Sequence, residues 1–212
     1  MEKVIHRSGS RGFTDQGWLK TYHTFSFGNY YDPRRIHFGA LRVLNDHTVE
    51  GGEGFSSHPH DNMEIISIPL RGALEYGDSM GNISVISTGD VQVMTAGTGV
   101  IHNEYNQSPD EAMQFLQIWV FPDEYELAPN YAKATYGEVK RNGLHLIVSP
   151  KDEAGDSVAP ISQRAWFYLA DLDEGIKLRP ELHNNKNGAY VFVIEGQIEV
   201  DGSKLNDRDG IG

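Results

Sequence analysis

The strongest constraint on the fold is a succession of short apolar runs separated by turn residues. Four such runs are rich in Val, Ile, Phe, Trp or Tyr and bounded by Gly, Asn, Asp or Pro: FGALRVLND (38–46), MEIISIPLRGALEYGD (63–78), ISVISTGDVQVMTAG (83–97) and MQFLQIWVFP (113–122). Runs of this kind are typical of β-strands, and 23 glycines in 212 residues favour frequent turns over long helices. The sequence therefore predicts an all-β fold, either a sandwich or a barrel.

One β-hairpin pattern occurs in both halves of the chain. YVFVIEGQIEVDG (190–202) repeats the order of strand, glycine and strand found in IISIPLRGALEYGD (65–78), which indicates two barrel-like halves. The chain stops at a turn, DRDGIG, so we expect the second barrel to be incomplete, and the sequence does not decide whether the native chain continues past Gly212. We predict three units: an N-terminal barrel (1–125), a connector with one strand (126–160) and a partial C-terminal barrel (161–212).

The charge balance limits the classes of partner. The chain has 18 Lys and Arg against 30 Asp and Glu, a formal net charge of −12. Nucleic acids and anionic membranes are bound by basic surfaces, so we expect neither as a direct partner, whereas a protein partner is compatible with an acidic surface. The N-terminal segment has no apolar core of a signal peptide, and no apolar run approaches the roughly 20 residues of a membrane span. We expect a cytoplasmic monomer.

The segment GGEGFSSHPHDNME (51–64) contains a candidate half of a metal site. The chain has no cysteine, so any metal must be held by His, Asp or Glu. His58 and His60 are two residues apart and would lie on one face of a strand, and Glu64 shares their parity. On its own, the pair is equally compatible with a polar loop.

A second pair with the same spacing favours the metal site. His102 and Glu104 follow closely spaced glycines in TAGTGVIHNEYN (95–106). If the intervening residues form a meander, both pairs lie on neighbouring strands and face one interior. Three imidazoles and one carboxylate suit Fe(II), Mn, Co, Ni, Cu or Zn, and an ion that prefers six ligands would keep two positions open for substrate or dioxygen. Strand parity does not decide whether Glu64 or Glu104 is the carboxylate ligand.

The other histidines lack a partner at such a spacing. We expect most of them to be surface residues or hydrogen-bonded polar groups: His6, His37, His47, His145 and His183. His23 lies in the aromatic segment YHTFSFGNYYDP (22–33), which we expect to pack over the core or a barrel end. A supporting role for His23 behind the ligands is the less favoured alternative.

The two histidine motifs resemble those of the pirin family, which are bicupins. GGEGFSSHPHDNMEIISIPLRG (51–72) is similar to the first cupin motif, with a final spacing one residue longer than the general pattern, as in pirins. GDVQVMTAGTGVIHNEYN (89–106) resembles the second motif in its pirin form, which lacks the proline before the histidine. The resemblance covers essentially the whole chain.

This resemblance implies two antiparallel β-barrels packed face to face, with a metal in the N-terminal barrel only. It implies His58, His60, His102 and Glu104 as the ligands of one divalent transition metal, with Fe(II) favoured over Mn, Ni, Co, Cu or Zn. It leaves Glu64 outside the coordination sphere.

Two classes of function follow from the resemblance. Bacterial pirins with all four ligands are similar to quercetin 2,3-dioxygenases, which open a flavonol ring with dioxygen and release carbon monoxide. Animal pirins are iron-dependent nuclear co-regulators that bind transcription factors. We therefore expect a dioxygenase acting on a flavonol or catechol-like substrate, with Glu104 as general base. The alternatives are an iron-sensing interaction protein without turnover and a metabolite-binding cupin without a reaction.

Overall fold

The computed structural model describes residues 3–212, which are almost entirely β-structure and turns. The strands are β1 (Ile5–His6), β2 (Gly12–Asp15), β3 (Leu19–His23), β4 (Leu41–Val49), β5 (Gly54–His60), β6 (Glu64–Arg71), β7 (Ala73–Asp78), β8 (Ile83–Ser87), β9 (Asp90–Thr95), β10 (Val100–Asn106), β11 (Met113–Val120), β12 (Asn130–Thr135), β13 (His145–Pro150), β14 (Ala159–Ile161), β15 (Phe167–Leu169), β16 (Val191–Phe192), β17 (Ile198–Val200), β18 (Ser203–Leu205) and β19 (Gly210–Ile211). The helical content of this part of the chain is one 3-10 turn, Ser8–Ser10, and none of its helices could cross a membrane. The prediction of an all-β fold is confirmed.

The first half consists of two antiparallel sheets that enclose one interior. The larger sheet has seven strands in the order β12-β9-β6-β11-β4-β3-β2, and the smaller has four in the order β5-β10-β7-β8. Side chains of both sheets meet in common apolar clusters, for example Leu74 and Ile86 of the smaller sheet with Phe115 of the larger. Hydrogen bonding does not close the two sheets into a continuous barrel, so the expected barrel is a two-sheet sandwich.

The repeated strand-glycine-strand unit is not a hairpin. β6 pairs with β9 and β11 in the larger sheet, whereas β7, directly after Gly72, pairs with β8 and β10 in the smaller sheet. The chain therefore crosses from one sheet to the other at Gly72, whose φ of 80° lies in the left-handed region that favours glycine. The strands between β5 and β10 are thus divided over two sheets and do not form a meander, and β5 pairs directly with β10.

A polar layer divides the interior of the first half. Leu74, Ile86 and Phe115 belong to one apolar cluster, and Ile65 and Met94 belong to a second. The layer comprises four buried side chains that are joined by hydrogen bonds: Ser67, Gln92, Glu104 and Gln117. Every second residue of a strand faces inward. Each polar-layer residue of the larger sheet is therefore two positions from an inward-facing apolar residue of the same strand, as Gln117 is from Phe115.

The outer face of the larger sheet packs against the second half of the chain. Leu116 and Ile118 of β11 share a core cluster with Ile147 of β13 and Ile161 of β14. The second half contains the three-stranded sheet β14-β13-β15, the pair β17-β18, and the sheet β1-β19-β16, whose first strand comes from the start of the chain.

The middle of the chain differs in detail from the expected connector. Residues 126–160 were expected to hold one strand, but they contain β12 as well as β13, and β14 begins at Ala159. β12 forms the edge of the larger sheet beside β9, with Ala134 buried. Its alternation is hidden in the sequence by the charged and proline-containing residues around it. The division into three units remains a prediction.

Candidate metal centre

Three histidines converge where β5 and β10 lie side by side. In this antiparallel pair His102 is opposite His58, and Val100 is opposite His60. The imidazole centroids of His58 and His102 are 4.4 Å apart, and that of His60 is 4.8 Å from His58 and 4.9 Å from His102. One ring nitrogen of each histidine lies within 4.8 Å of the other two, close enough for all three to bind one ion.

The protonation of these imidazoles fits a metal ligand. The ring Nδ1 of His58 lies 2.7 Å from the carbonyl oxygen of Ser56, which can only accept, so Nδ1 donates there and Nε2 is the nitrogen left for an ion. His102 is buried, and neither of its ring nitrogens has a hydrogen-bond partner among the described residues. Buried polar atoms are seldom left unpaired, so the donor set fits a divalent transition metal.

Burial keeps two of the rings neutral. Desolvation, with the nearby His58 ring adding to it, lowers the pKa of His60 to about 4. Desolvation and then the His58 and His60 rings lower the pKa of His102 to about 3. Neutral imidazole is the form that binds metals, so both rings are ready to coordinate at pH 7.

Glu104 lies on the same inward face of β10 but outside the close group of three ring nitrogens. A break in the β5–β10 register follows His102, so Glu104 is opposite Phe55. Its carboxylate accepts hydrogen bonds from Ser67 Oγ at 3.0 Å and Gln92 Nε2 at 3.2 Å on Oε1, and from Gln117 Nε2 at 2.7 Å on Oε2. Burial raises the pKa of Glu104 to about 7, against the opposing effect of the Ser67 and Gln117 bonds.

Glu64, the other carboxylate with the right parity, is directed elsewhere. It is fully buried at the start of β6, and its Oε2 accepts hydrogen bonds from Thr95 Oγ1 at 2.9 Å and from the Ser162 backbone N–H at 3.0 Å. Since Ser162 follows β14, Glu64 links the first half of the chain to the second. Burial raises the pKa of Glu64 above its ordinary value.

The remaining histidines lie apart from the three converging rings. His23 is buried, with Nδ1 2.8 Å from Asn45 Oδ1. His183 is exposed and stacks on Trp166 with ring centroids 3.7 Å apart. His47 is buried against Phe115 and lies near Gln117.

The sequence reasoning missed the groups that surround the candidate ligands. Trp119 lies edge-on to His60, with centroids 4.9 Å apart, and Gln92 and Gln117 bind Glu104. A signal was available in MQFLQIWV, where Gln117 has the parity of the apolar positions that face the interior.

Comparison with known proteins identifies the family. The model described as "Pirin" matches residues 5–120, and the one described as "Quercetinase C-terminal cupin domain" matches residues 146–212. The chain belongs to the pirin family. A relative named quercetin 2,3-dioxygenase from Escherichia coli strain K12 is 37% identical to this pirin over 209 residues, covering 98% of this chain and 87% of the relative. A pirin-like protein of Caulobacter vibrioides is 38% identical over 201 residues, covering 95% of this chain and 86% of the relative.

Solved structures agree with this assignment. The crystal structure of YhhW from Escherichia coli superposes on this pirin with a TM-score of 0.85 at 36% identity, covering 99% of this chain and 88% of YhhW. A second structure, described as bacterial pirin YhhW in complex with nickel(II), gives a TM-score of 0.84 at 35% identity, with 99% and 89% coverage. The resemblance to a pirin bicupin is therefore confirmed.

Proposed function

We propose that this pirin is a metal-dependent dioxygenase that opens the ring of a flavonol, or of a related catechol-like compound, with dioxygen. The observation that carries the proposal is the convergence of three imidazoles, those of His58 and His60 on β5 and of His102 on β10, the strand that also carries the buried Glu104. The names of the relatives support the reaction class. We place the activity in the cytoplasm.

The metal in this proposal is one divalent transition ion, with Fe(II) favoured for dioxygen chemistry. His58, His60 and His102 would hold it, with Glu104 as the fourth ligand. When bound, such an ion supplies a Lewis acid that orients the 3-hydroxyl and 4-keto oxygens of a flavonol.

Residues of the chain supply the acid–base and positioning roles. Glu104 would accept the proton of the substrate hydroxyl on Oε2 when that oxygen is released from the ion, because burial has made its carboxylate more basic than that of an exposed glutamate. The aromatic rings of Trp119 and Phe27 pack edge to face with centroids 5.3 Å apart, and Trp119 also contacts His60. These rings, which are nearly perpendicular to each other, line the site beside His60 with aromatic surface suited to an aromatic substrate.

The test is aerobic incubation of the iron-loaded protein with quercetin. We expect loss of the flavonol absorbance together with release of carbon monoxide, and loss of both in the variant Glu104→Gln, which keeps the size of the side chain but cannot take up the proton. Absence of turnover at full metal occupancy, with catechol-like alternatives also inert, would reject the dioxygenase and favour the iron-sensing alternative.

A further inference from the structure

The carboxylate of Glu104 is held by three neighbouring strands of the opposite sheet. Ser67 belongs to β6, Gln92 to β9 and Gln117 to β11, whereas Glu104 projects from β10 of the smaller sheet. All four side chains are buried, so these hydrogen bonds are shielded from competing water. The polar layer therefore spans the sandwich and fixes the end of the Glu104 side chain from the far side.

The two amides have only one orientation that satisfies their neighbours. The indole Nε1–H of Trp119 can only donate, and it lies 3.2 Å from Gln117 Oε1, so the Nε2 of Gln117 must face Glu104. The hydroxyl of Tyr131 lies 3.2 Å from Gln92 Oε1 and can donate or accept, so it does not fix the Gln92 amide. The ionised carboxylate of Glu104 can only accept, so the Nε2 of Gln92 must face it. Both glutamines are therefore donors to the carboxylate.

The aromatic groups that hydrogen-bond the two amides also pack toward the imidazoles. Trp119 contacts His60 directly, with centroids 4.9 Å apart. Tyr131 stacks on Tyr76 at 4.6 Å, and Tyr76 lies 5.6 Å from His102. One series of contacts therefore connects Glu104 to His60 through Gln117 and Trp119. A second connects Glu104 to His102 through Gln92 and the two tyrosines.

The two oxygens of Glu104 are not equivalent. Oε1 accepts two hydrogen bonds, from Ser67 and Gln92, and Oε2 accepts one, from Gln117. A carboxylate oxygen has two in-plane lone-pair directions, so Oε1 is saturated and Oε2 keeps one free.

We propose that Gln92 and Gln117 are positioning residues that set the rotation of the Glu104 carboxylate and leave Oε2 as the oxygen available to a metal. The proposal rests on the proposed site, in which Glu104 completes the three-histidine set. It assigns the glutamines no contact with substrate, and it requires no turnover.

The test measures affinity for Co(II) or Ni(II) by calorimetric titration, and the absorption spectrum of the Co(II)-loaded protein, in Gln92→Met and Gln117→Met. Methionine keeps the length of the side chain but cannot donate. We expect each variant to bind the ion about 10–100-fold more weakly, the usual effect of losing a group that orients a ligand, with a Co(II) spectrum altered toward that of Glu104→Ala. Gln114→Met is the matched control, because Gln114 lies on the same strand but is directed to the opposite face, where it bonds Thr48 Oγ1. Its affinity should equal that of the wild type.

A double-mutant cycle decides whether the glutamines act through Glu104. In the Glu104→Ala background, Gln117→Met should cause no further loss of affinity, because the carboxylate that it orients is absent. Wild-type affinity in both methionine variants, or an undiminished effect of Gln117→Met without Glu104, would overturn the proposal. The thermal unfolding midpoint of the metal-free protein shows whether each variant folds. If a methionine variant does not fold, the corresponding asparagine variant, Gln92→Asn or Gln117→Asn, takes its place, because it keeps the amide but on a shorter side chain. None of these readouts uses quercetin, so loss of the proposed reaction and loss of the positioning role are separately observable.

Discussion

The two halves of this pirin contain the same crossing between sheets but differ in what the crossing leads to. In the first half, the eight-residue β6 and the six-residue β7 flank Gly72 and lie in different sheets. In the second half, the two-residue β16 and the three-residue β17 precede and follow Gly196 and also lie in different sheets. The crossing is thus a property of the fold, and it does not by itself create a metal site.

The difference lies in the side chains that face inward. The first half places Glu104, Gln92 and Gln117 between two apolar clusters, with the three imidazoles nearby. The corresponding interior of the second half is an apolar cluster of Val193, Leu205 and Ile211. The halves therefore differ in these inward side chains as well as in the size of their sheets, which have seven and four strands in the first half and three, three and two in the second.

The largest expected effect tests this contrast directly with one histidine from each half. His102→Ala removes a buried imidazole of the converging set, and metal affinity should fall by more than the roughly 100-fold that a supporting group can cost. His183→Ala, which alters only an exposed ring stacked on Trp166, should leave the affinity unchanged. Metal content and calorimetric titration check both variants. An equal loss of metal affinity in the two would contradict a metal site confined to the first half.

The second prediction concerns the core that the halves share. Ile147→Ala should lower the free energy of unfolding by about 2–5 kcal/mol, the range for truncating a buried aliphatic side chain. Because Ile147 packs with residues of the larger sheet, the whole chain should unfold in a single, shifted transition. Urea denaturation followed by circular dichroism measures this, and two separated transitions would show that the halves are energetically independent.

The third prediction compares the two crossing glycines. Both have left-handed φ values, 80° at Gly72 and 90° at Gly196, so alanine at either should cost about 1–2 kcal/mol in backbone energy. At Gly72 a Cβ would also come within 2.9 Å of Met113 Cβ, which adds about 1–3 kcal/mol of overpacking, whereas a Cβ at Gly196 meets no atom within 4 Å. Denaturation of Gly72→Ala and Gly196→Ala should show the larger loss at Gly72, and equal losses would contradict the steric account.

The smallest expected effect concerns the bond between the halves at Glu64. Burial raises its pKa in the folded state, so between the ordinary value and the raised one the folded protein binds more protons than the unfolded protein. The contribution of Glu64 to the free energy of unfolding should therefore be fully present below the ordinary pKa of a glutamate and be lost as pH rises through this window. Glu64→Gln should remove this loss from the pH profile between pH 4 and pH 8. Parallel pH profiles in the two proteins would exclude this contribution.

The sequence predicted the elements of the site better than their arrangement. Alternation identified β6, β7, β9 and β11, and the spacing of His58 and His60 placed both on one face of β5. The strand pairing was not predictable from spacing, because a strand-glycine-strand pattern fits either a hairpin or a crossing between sheets. Strand parity also left Glu64 and Glu104 equivalent, since only long-range contacts distinguish them: Ser162, ninety-eight residues away, binds Glu64.

The position of Trp119 gives the molecule a built-in optical reporter. Its indole lies 4.9 Å from the His60 ring, whereas Trp18 packs against Phe55 and Trp166 lies in the second half. An open-shell ion such as Ni(II) at the imidazoles would quench the fluorescence of this indole at short range, and closed-shell Zn(II) would leave it bright. Occupancy of the centre could thus be followed in the native protein without a label.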